Sequence, residues 1–231
     1  MRIGIFSDPH YSSQKITCGK RYNSRSLEKI QKAYGHFEDE GCDLVVCLGD
    51  LIDKESSVDI ELENLRKISA IMKSCPIPTV CLMGNHDAFA LSAEQFYTTL
   101  GIEPPSDMYI DGKALIFLDA CFFSDGASYA PGDTDWTDAF LPNEDGLKEK
   151  LCRIDGNSYL FIHQNIDPSI SEDHRISNSG SVLEIINQSH TVKAVFQGHY
   201  HPGARSSHDG VEYIALPAMC ENEAAFFIYD I

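Results

Sequence analysis

The stretch TVCLMGNHD, residues 79–87, joins a short apolar run directly to four polar or conformationally permissive residues. Apolar runs of this length with little alternation are typical of strands buried on both faces of a sheet. A glycine, an amide, an imidazole and a carboxylate that follow such a strand at once have little use in packing. The stretch therefore predicts a buried strand that ends at a functional site.

The same order of apolar run and polar cluster recurs four more times along the chain. The runs are residues 2–6, 44–48, 159–162 and 192–197, followed respectively by Asp8-Pro9-His10, Gly49-Asp50, His163 and Gly198-His199-Tyr200-His201. In open α/β sheets, ligands bind in the crevice outside the carboxyl ends of the strands. If these strands are parallel neighbours, we expect all five clusters to converge on one rim.

Helical periodicity separates several of the strands. Three helices are predicted: from Leu27 to a stop at Gly41, from Ser56 to a stop at Pro76, and over residues 181–189. Ser56-x-x-Asp59 is the expected capping box of the second. This alternation of strands and helices predicts an α/β fold with a largely parallel core and antiparallel additions.

Turn signals complete the prediction of the fold. Asp111-Gly112 and Asp209-Gly210 lie between strand-like segments and predict hairpin turns. Residues 124–142 have no clear period and predict a long surface loop beside the site. Because no internal repeat or linker divides the chain, we expect residues 1–231 to form one domain.

The composition excludes several classes of protein. Of the 231 residues, 43% are hydrophobic and 10% aromatic, which excludes intrinsic disorder. The formal net charge of −17 has the wrong sign for non-specific nucleic-acid binding, so duplex nucleic acid is not an expected partner. No apolar run reaches the roughly 18 residues of a membrane span. An anion-binding protein of this charge needs a local positive centre, for which a bound metal is the candidate.

Cysteine usage favours a reducing compartment. The eight cysteines contain no C-x-x-C pair, and the first residues do not resemble a signal peptide. We therefore expect reduced, mostly buried thiols in a cytoplasmic protein. Disulfides in an exported protein are the alternative.

The donor types in the clusters favour a site for two metal ions. The donors are Asp8, His10, Asp50, Asn85, His163, His199 and His201. Oxygen and imidazole donors without a thiolate favour Mn²⁺, Fe or Zn²⁺. Seven donors are too many for one tetrahedral zinc ion but suit two ions that share a bridging carboxylate. Each motif alone also has a structural interpretation, such as a turn for Gly49-Asp50 or an ordinary surface pair for His199 and His201.

Taken in this order, the motifs resemble the calcineurin-like metallophosphoesterase family over residues 3–201. The resemblance implies a four-layer α-β-β-α sandwich with mixed sheets and a dinuclear centre at the carboxyl ends of the strands. It implies one metal held by Asp8, His10, Asp50 and His201. It implies a second metal held by the bridging Asp50 with Asn85, His163 and His199.

Phosphate esters require in-line attack on phosphorus while the charge on its oxygens is offset, and two metals about 3.5–4 Å apart can do both. The expected nucleophile is a hydroxide that bridges the metals. His86, next to Asn85, is expected to assist the leaving group. Asp87 either orients that imidazole or caps a helix. Asp53 is either an acceptor for a ligand histidine or, as we favour, a simple helix-start aspartate.

Two departures from the family bear on the substrate. His163 is followed by Gln164-Asn165, where many relatives have a proline. The segment after Asp50 lacks the arginine of serine/threonine protein phosphatases, and their Asn-His-Glu is Asn-His-Asp here, so protein phosphatase activity is not expected.

The expected substrate is a small phosphorylated molecule or nucleotide. Residues 19–27 look like those of manganese-dependent ADP-ribose/CDP-alcohol diphosphatases and some cyclic-nucleotide phosphodiesterases, which implies a phosphate contact for Arg21 or an ordinary exposed arginine. Asn85 and His174 are further candidate substrate contacts. Trp136 and Tyr129 are candidates for a stacking wall, although buried packing of Trp136 is the favoured interpretation. The alternatives to such a hydrolase are a nuclease of the same family and a non-catalytic scaffold for protein contacts.

Overall fold

The computed structural model describes residues 1–231. Its strands are β1 (Arg2–Phe6), β2 (Leu44–Cys47), β3 (Thr79–Cys81), β4 (Met108–Ile110), β5 (Lys113–Phe117), β6 (Asn157–Ile162), β7 (Val192–Gln197), β8 (Ala204–His208), β9 (Val211–Ala215) and β10 (Phe226–Asp230). Its α-helices are α1 (Ser26–Asp39), α2 (Val58–Ser74), α3 (Asn85–Ala90), α4 (Ala93–Leu100), α5 (Glu144–Cys152) and α6 (Ser179–Ser189). None of these helices is both long and apolar enough to cross a membrane.

The strands form two mixed sheets. The first has the order β10-β1-β2-β3, in which β1, β2 and β3 are parallel and β10 is antiparallel to β1. The second has the order β4-β5-β6-β7-β9-β8, with a parallel centre and antiparallel edge strands β4 and β8. The predicted parallel core with antiparallel additions is confirmed.

Three apolar cores hold four layers together. Ile5 and Val46 of the first sheet share a core with Phe161 and Phe196 of the second, so the sheets pack face to face. The outer face of the first sheet packs on α1, α2 and α4, and that of the second packs on α5 and α6. A side chain such as Phe161, which is fully buried, contributes about 1.5–3 kcal/mol by burial. The arrangement is the expected α-β-β-α sandwich.

The packing brings the carboxyl ends of strands from both sheets to the same end of the sandwich. The backbone amide of Gly198, after β7, donates to the carbonyl of His163, after β6, at 2.9 Å. His163 in turn contacts the first sheet, because its Nδ1 lies 2.8 Å from the carbonyl oxygen of Leu48, after β2. The loops that carry the polar clusters are thus bonded to each other across the two sheets.

The predicted turns and loop agree with the structure, whereas two predicted helix starts differ from it. The hairpin turns at Asp111-Gly112 and Asp209-Gly210 are confirmed, and residues 124–142 contain no helix or regular strand. The predicted capping box at Ser56 is wrong, because α2 begins at Val58 and its N-cap is Ser57. The helix expected over residues 181–189 begins at Ser179.

Three helices were not predicted: the short α3, and also α4 and α5. The short α4 carries a capping box, Ser92 with Gln95, that the sequence shows but that was overlooked. In α5, Gly146 and the small number of apolar positions obscure the helical period. Helices α4 and α5 are stabilised by packing on their sheets, which a periodicity argument does not see.

Candidate metal centre and active site

The structure brings all seven predicted donors together at the carboxyl ends of five strands. Asp8 and His10 follow β1, Asp50 follows β2, Asn85 begins α3 after β3, His163 follows β6, and His199 and His201 follow β7. Asp8, His10, Asp50, Asn85 and His163 are at most 1% exposed. The expected convergence on one rim is confirmed.

Backbone conformation at the cluster is unusual. Asp8, His10, Asp50 and His199 all have positive φ, at 55°, 45°, 55° and 63° respectively. Non-glycine residues seldom adopt this left-handed region, and such residues concentrate at functional sites where the surroundings hold them. The sharp turns aim these side chains inward instead of along the strand direction.

A first donor set consists of Asp8, His10, Asp50 and His201. The Nε2 atoms of His10 and His201 face each other at 3.1 Å. The carboxylate Oδ1 of Asp8 lies 3.7 Å from Nε2 of His10 and 3.6 Å from Nε2 of His201. These atoms of Asp8, His10 and His201 therefore lie within 3.7 Å of one another.

A second donor set consists of Asp50, Asn85, His163 and His199. The amide Oδ1 of Asn85 lies 3.2 Å from Nε2 of His163 and 2.9 Å from Nδ1 of His199. One carboxylate oxygen, Oδ2 of Asp50, lies 3.3 Å from Nε2 of His163 and 3.4 Å from Nε2 of His10 in the first set. Asp50 therefore lies between the two sets and faces both.

The ionisation of the cluster depends on positive charge at short range. Burial acts to raise the pKa of Asp8, but its hydrogen bond with His10 and the charges of His163 and His201 hold it well below its usual range. Burial opposes protonation of His10 and His163, yet Asp50 and neighbouring carboxylates raise their pKa values to about 10 and about 9. Burial and the His163 charge lower the pKa of His199 to about 3. The charge that keeps the pKa of Asp8 low thus comes from the imidazoles around it.

The donor chemistry fits a pair of metal ions. The Nδ1 atoms of His10 and His201 are bonded to the carboxylates of Asp53 and Glu221, at 2.8 Å and 2.6 Å. When Nδ1 carries the proton of such a bond, Nε2 presents a lone pair, and the two Nε2 atoms aim at the same point. Oxygen and imidazole donors in this number suit Mn²⁺, Fe or Zn²⁺.

Glycines leave room for the carboxylates. A Cβ atom on Gly84 would overlap the Asp50 carboxylate, and one on Gly198 would overlap the hydroxyl of Ser7 and lie 2.8 Å from Oδ2 of Asp8. Any side chain at these two positions displaces a donor. The glycines of the GNHD and GHYH motifs therefore serve the site because they have no side chain.

Asp53 is the residue whose role we misinterpreted. It is not a helix-start aspartate, because α2 begins at Val58. Its carboxylate Oδ1 lies 2.8 Å from Nδ1 of His10 and 2.9 Å from Nδ1 of His86, and Asn23 and Thr17 donate to Oδ2. Asp53 therefore links a metal-donor histidine to the candidate leaving-group histidine. The contact with His10 agrees with the alternative interpretation, in which Asp53 is an acceptor for a ligand histidine.

Asp87 has the second of its two expected roles. Its carboxylate accepts hydrogen bonds from the backbone amides of Gly84 and Ile52, at 3.0 Å and 3.1 Å, and it is fully buried. It caps α3 and ties it to the loop after β2, while the imidazole of His86 is held by Asp53 instead. Burial, followed by the Asp50 charge, raises the pKa of Asp87 to about 7.

A pocket of about 330 Å³ opens over the two donor sets. His86 and Asn85 lie in its floor, and the predicted contacts Arg21 and His174 line its walls. Arg21 is not free, because its guanidinium Nη1 lies 3.3 Å from Oδ1 of Asp53. Asn85 and Arg21 thus both line a cavity of the size of a small ligand.

Trp136 lies at the pocket and not only in the core. Its half-buried ring lines the pocket, 5.2 Å from the ring of His199 and 5.4 Å from that of His174. Tyr129, by contrast, is buried against Phe89 and Phe123. The preference for buried packing of Trp136 is thus correct only in part, and Tyr129 does not belong to a stacking wall.

The remaining departures from expectation concern loops. Asn165, in place of the proline of many relatives, donates from Nδ2 to the carbonyl of Gly198 at 3.1 Å, so it ties the loop of His163 to that of His199. Glu221 and Lys20 were not predicted at all, although both line the pocket. No motif marks Glu221, and Lys20, although it lies within the family-like residues 19–27, meets Glu221 only in the folded chain.

Comparison with known proteins agrees with this geometry. The sequence model of the calcineurin-like phosphoesterase family matches residues 1–203. A probable cyclic nucleotide phosphodiesterase of Psychrobacter arcticus is 24% identical over 240 residues, covering 97% of this chain and 79% of that protein. The mouse serine/threonine-protein phosphatase CPPED1 is 27% identical over 189 residues, covering 76% of this chain and 58% of that protein.

Among solved structures, the crystal structure of a dimetal phosphatase from Danio rerio superposes with a TM-score of 0.82 at 16% identity. The match covers 99% of this chain and 91% of that one, and at this identity it shows the shared fold. The match of the family model, which covers most of the chain, also shows which family the chain belongs to. The chain belongs to the calcineurin-like phosphoesterase family and is a metal-dependent hydrolase of phosphoesters.

Proposed function

We propose that residues 1–231 form a single domain that hydrolyses a phosphate ester or diphosphate bond in a small molecule or nucleotide. The observation that carries the proposal is the position of Asp50, one oxygen of which faces both donor sets at 3.3–3.4 Å. A shared carboxylate between two sets of imidazole and oxygen donors is the arrangement that two metal ions require.

The first ion would be held by Asp8, His10, Asp50 and His201, and the second by Asp50, Asn85, His163 and His199. When bound, such a pair activates water and offsets the charge of the phosphoryl oxygens. Manganese, iron and zinc all suit the donors. The chain's own residues then have to orient the ester and supply a proton to the leaving oxygen.

His86 is the proposed proton donor. Its ring lines the pocket, while its Nδ1 is held 2.9 Å from the carboxylate of Asp53. This contact holds the ring by Nδ1 and leaves Nε2 to face the leaving group, as a general acid requires. The backbone amide of His86 also donates to Oδ1 of Asp50 at 2.8 Å, which fixes the residue relative to both donor sets.

The pocket supports a small anionic substrate with a flat group. The oxygen of Asn85 faces the two imidazoles of the second set, which leaves its amide nitrogen to donate to a phosphoryl oxygen. Trp136 and His174 provide an aromatic wall on which a base can stack. The name of the Psychrobacter relative supports a nucleotide phosphodiester, whereas that of the mouse relative raises phosphopeptides as a second substrate class.

A cytoplasmic location belongs to the same proposal. All eight cysteines are free and five of them are buried, as expected for a protein kept reduced. A nuclease of the family remains an alternative, against which the net charge of −17 argues.

The proposal is tested by hydrolysis of p-nitrophenyl phosphate and bis-p-nitrophenyl phosphate after loading the metal-free protein with Mn²⁺. Asp50→Ala is the test variant, and Asp39→Ala, at the end of α1, is the matched control. We expect metal-dependent turnover that Asp50→Ala cuts by about 10²-fold or more and Asp39→Ala leaves unchanged. A diester preference points to nucleotide phosphodiesters.

If neither ester is cleaved with two metals bound, ADP-ribose-type diphosphates and a phosphoserine peptide are the next substrates. Absence of turnover on all four substrates contradicts the proposal and favours a non-catalytic scaffold for protein contacts.

A further inference from the structure

Glu221 lies beyond the residues that match the family and contacts the metal centre from the side. Its Oε1 lies 2.6 Å from Nδ1 of His201, and its Oε2 lies 3.1 Å from Nζ of Lys20. The side chain of Glu221 is 15% exposed, and that of His201 is 12% exposed. The carboxylate therefore meets the imidazole in a largely buried contact at the edge of the pocket.

The segment that carries Glu221, residues 218–222, is bonded directly to the loops that carry the first donor set. The backbone amide of Cys220 donates to the carbonyl of Asp8, and that of Ala218 donates to the carbonyl of His201, both at 3.0 Å. Lys29, which is 4% exposed, donates from Nζ to the carbonyl of Met219 at 2.8 Å. Glu221 is thus held at a fixed distance from His201 by several independent bonds.

The contact determines which nitrogen of His201 faces the donors. A proton shared between Nδ1 and the Glu221 carboxylate leaves Nε2 unprotonated, and Nε2 is the atom that points at Asp8 and His10. A carboxylate in this place also makes the imidazole a better electron donor, as acceptors behind metal-binding histidines generally do. Rotation of the ring about its own axis is prevented by the same bond.

We infer that Glu221 is a positioning residue for the metal centre, which holds His201 in the tautomer and orientation needed to bind the first ion. The inference rests on the proposed metal centre. Lys20 occupies the other oxygen of Glu221 and restrains it from the pocket side. Because Lys20 is 63% exposed, its ion pair alone contributes little, and the effect of Glu221 comes from the contact with His201.

The test is a calorimetric titration of metal-free proteins with Mn²⁺, in which the affinities of the two sites are resolved. The variants are Glu221→Ala and Glu221→Gln, since the glutamine amide oxygen still accepts a hydrogen bond. The matched control is Glu223→Gln, two residues along the chain, whose carboxylate is 63% exposed and pairs with Arg25. The melting temperature of each metal-free variant reports whether it folds like the wild type.

We expect Glu221→Ala to weaken one of the two Mn²⁺ sites by about 10–100-fold and to leave the other unchanged. Glu221→Gln is expected at the lower end of that range, and Glu223→Gln at the wild-type value. A general loss of structure would weaken both sites together and lower the melting temperature.

Three results overturn the inference in distinguishable ways. If wild-type protein binds two ions and Glu221→Ala binds both as tightly, Glu221 has no positioning role, although the metal centre stands. If wild-type protein binds no Mn²⁺, the metal centre itself fails and the role of Glu221 fails with it. If the melting temperature of Glu221→Ala is lowered, the Glu221→Gln variant decides. Unchanged Mn²⁺ affinity at both of its sites overturns the positioning role of Glu221.

Discussion

The two donor sets differ in what lies behind their imidazoles. In the first set, carboxylates accept from Nδ1 of both histidines, Asp53 behind His10 and Glu221 behind His201. In the second set, the Nδ1 of His163 lies against a backbone carbonyl, and His199 turns its own Nδ1 toward Asn85. Each imidazole of the first set thus has a side-chain carboxylate behind it, whereas in the second set His163 has a backbone carbonyl in that place.

This difference has consequences for both halves. Carboxylates behind the first set make its imidazoles stronger donors, and two carboxylates, Asp8 and Asp50, lie in that set itself. The second set has only the shared Asp50 and a neutral amide. We therefore expect the first set to bind its ion more tightly. A side-chain substitution can remove the carboxylate behind an imidazole of the first set, but it cannot remove the backbone carbonyl behind His163.

The largest expected effect separates proton transfer from metal binding. His86→Ala should lower kcat by about 10²–10⁴-fold, the range of general acid catalysis, because it removes the proposed proton donor. Metal content should stay at two ions, since His86 belongs to neither donor set. Steady-state kinetics with metal analysis check this. Loss of metal together with activity would place His86 among the ligands instead.

The next prediction concerns the first donor set alone. Asp53→Asn should weaken binding of one ion by about 10–100-fold, because the amide no longer favours the required tautomer of His10. It should also lower kcat, since Asp53 holds His86 as well. Mn²⁺ titration and kinetics measure both effects, with Asp59→Asn at the start of α2 as control. If Asp53→Asn weakened the two sites equally, the difference between the halves would not lie in their carboxylates.

Metal removal should destabilise the fold by a measurable amount. An ion present at 100 times its dissociation constant adds about 2.7 kcal/mol to the free energy of unfolding. For a chain of this size, each kcal/mol corresponds to about 2–4 °C in the melting temperature. The melting temperature should therefore rise by about 5–10 °C when Mn²⁺ is added to metal-free protein. The rise should be smaller in Asp53→Asn, and an identical rise would count against the role of Asp53.

The smallest effect concerns the pocket wall beside the second set. Trp136→Leu should raise KM for a nucleotide diester by about 2–10-fold, because a stacked aromatic pair contributes about 0.5–1.5 kcal/mol. KM for a glycerophosphodiester, which has no flat group, should not change. Equal effects on both substrates would show that Trp136 supports the loop and does not recognise a base.

The sequence was most informative where strands end. Every donor, from Asp8 to His201, lies within four residues after the end of an apolar run, so both the convergence of the clusters and the layered α/β fold could be predicted. The partners behind the donors could be predicted only in part, because an acceptor role for Asp53 was the less favoured alternative and Glu221 was not identified. Asp53 and Glu221 lie 43 and 20 residues from the histidines they hold, and nothing in their neighbours distinguishes them from surface acids. Such contacts are products of folding and are visible only in three dimensions.

The most direct test of two unequal halves is stepwise loading of the metal-free protein with Mn²⁺, with bound ions and hydrolysis of bis-p-nitrophenyl phosphate measured at each step. The account predicts two ions per chain, the first bound more tightly, with hydrolysis rising only as the second ion binds. A single ion per chain, or full activity at one ion, would contradict it.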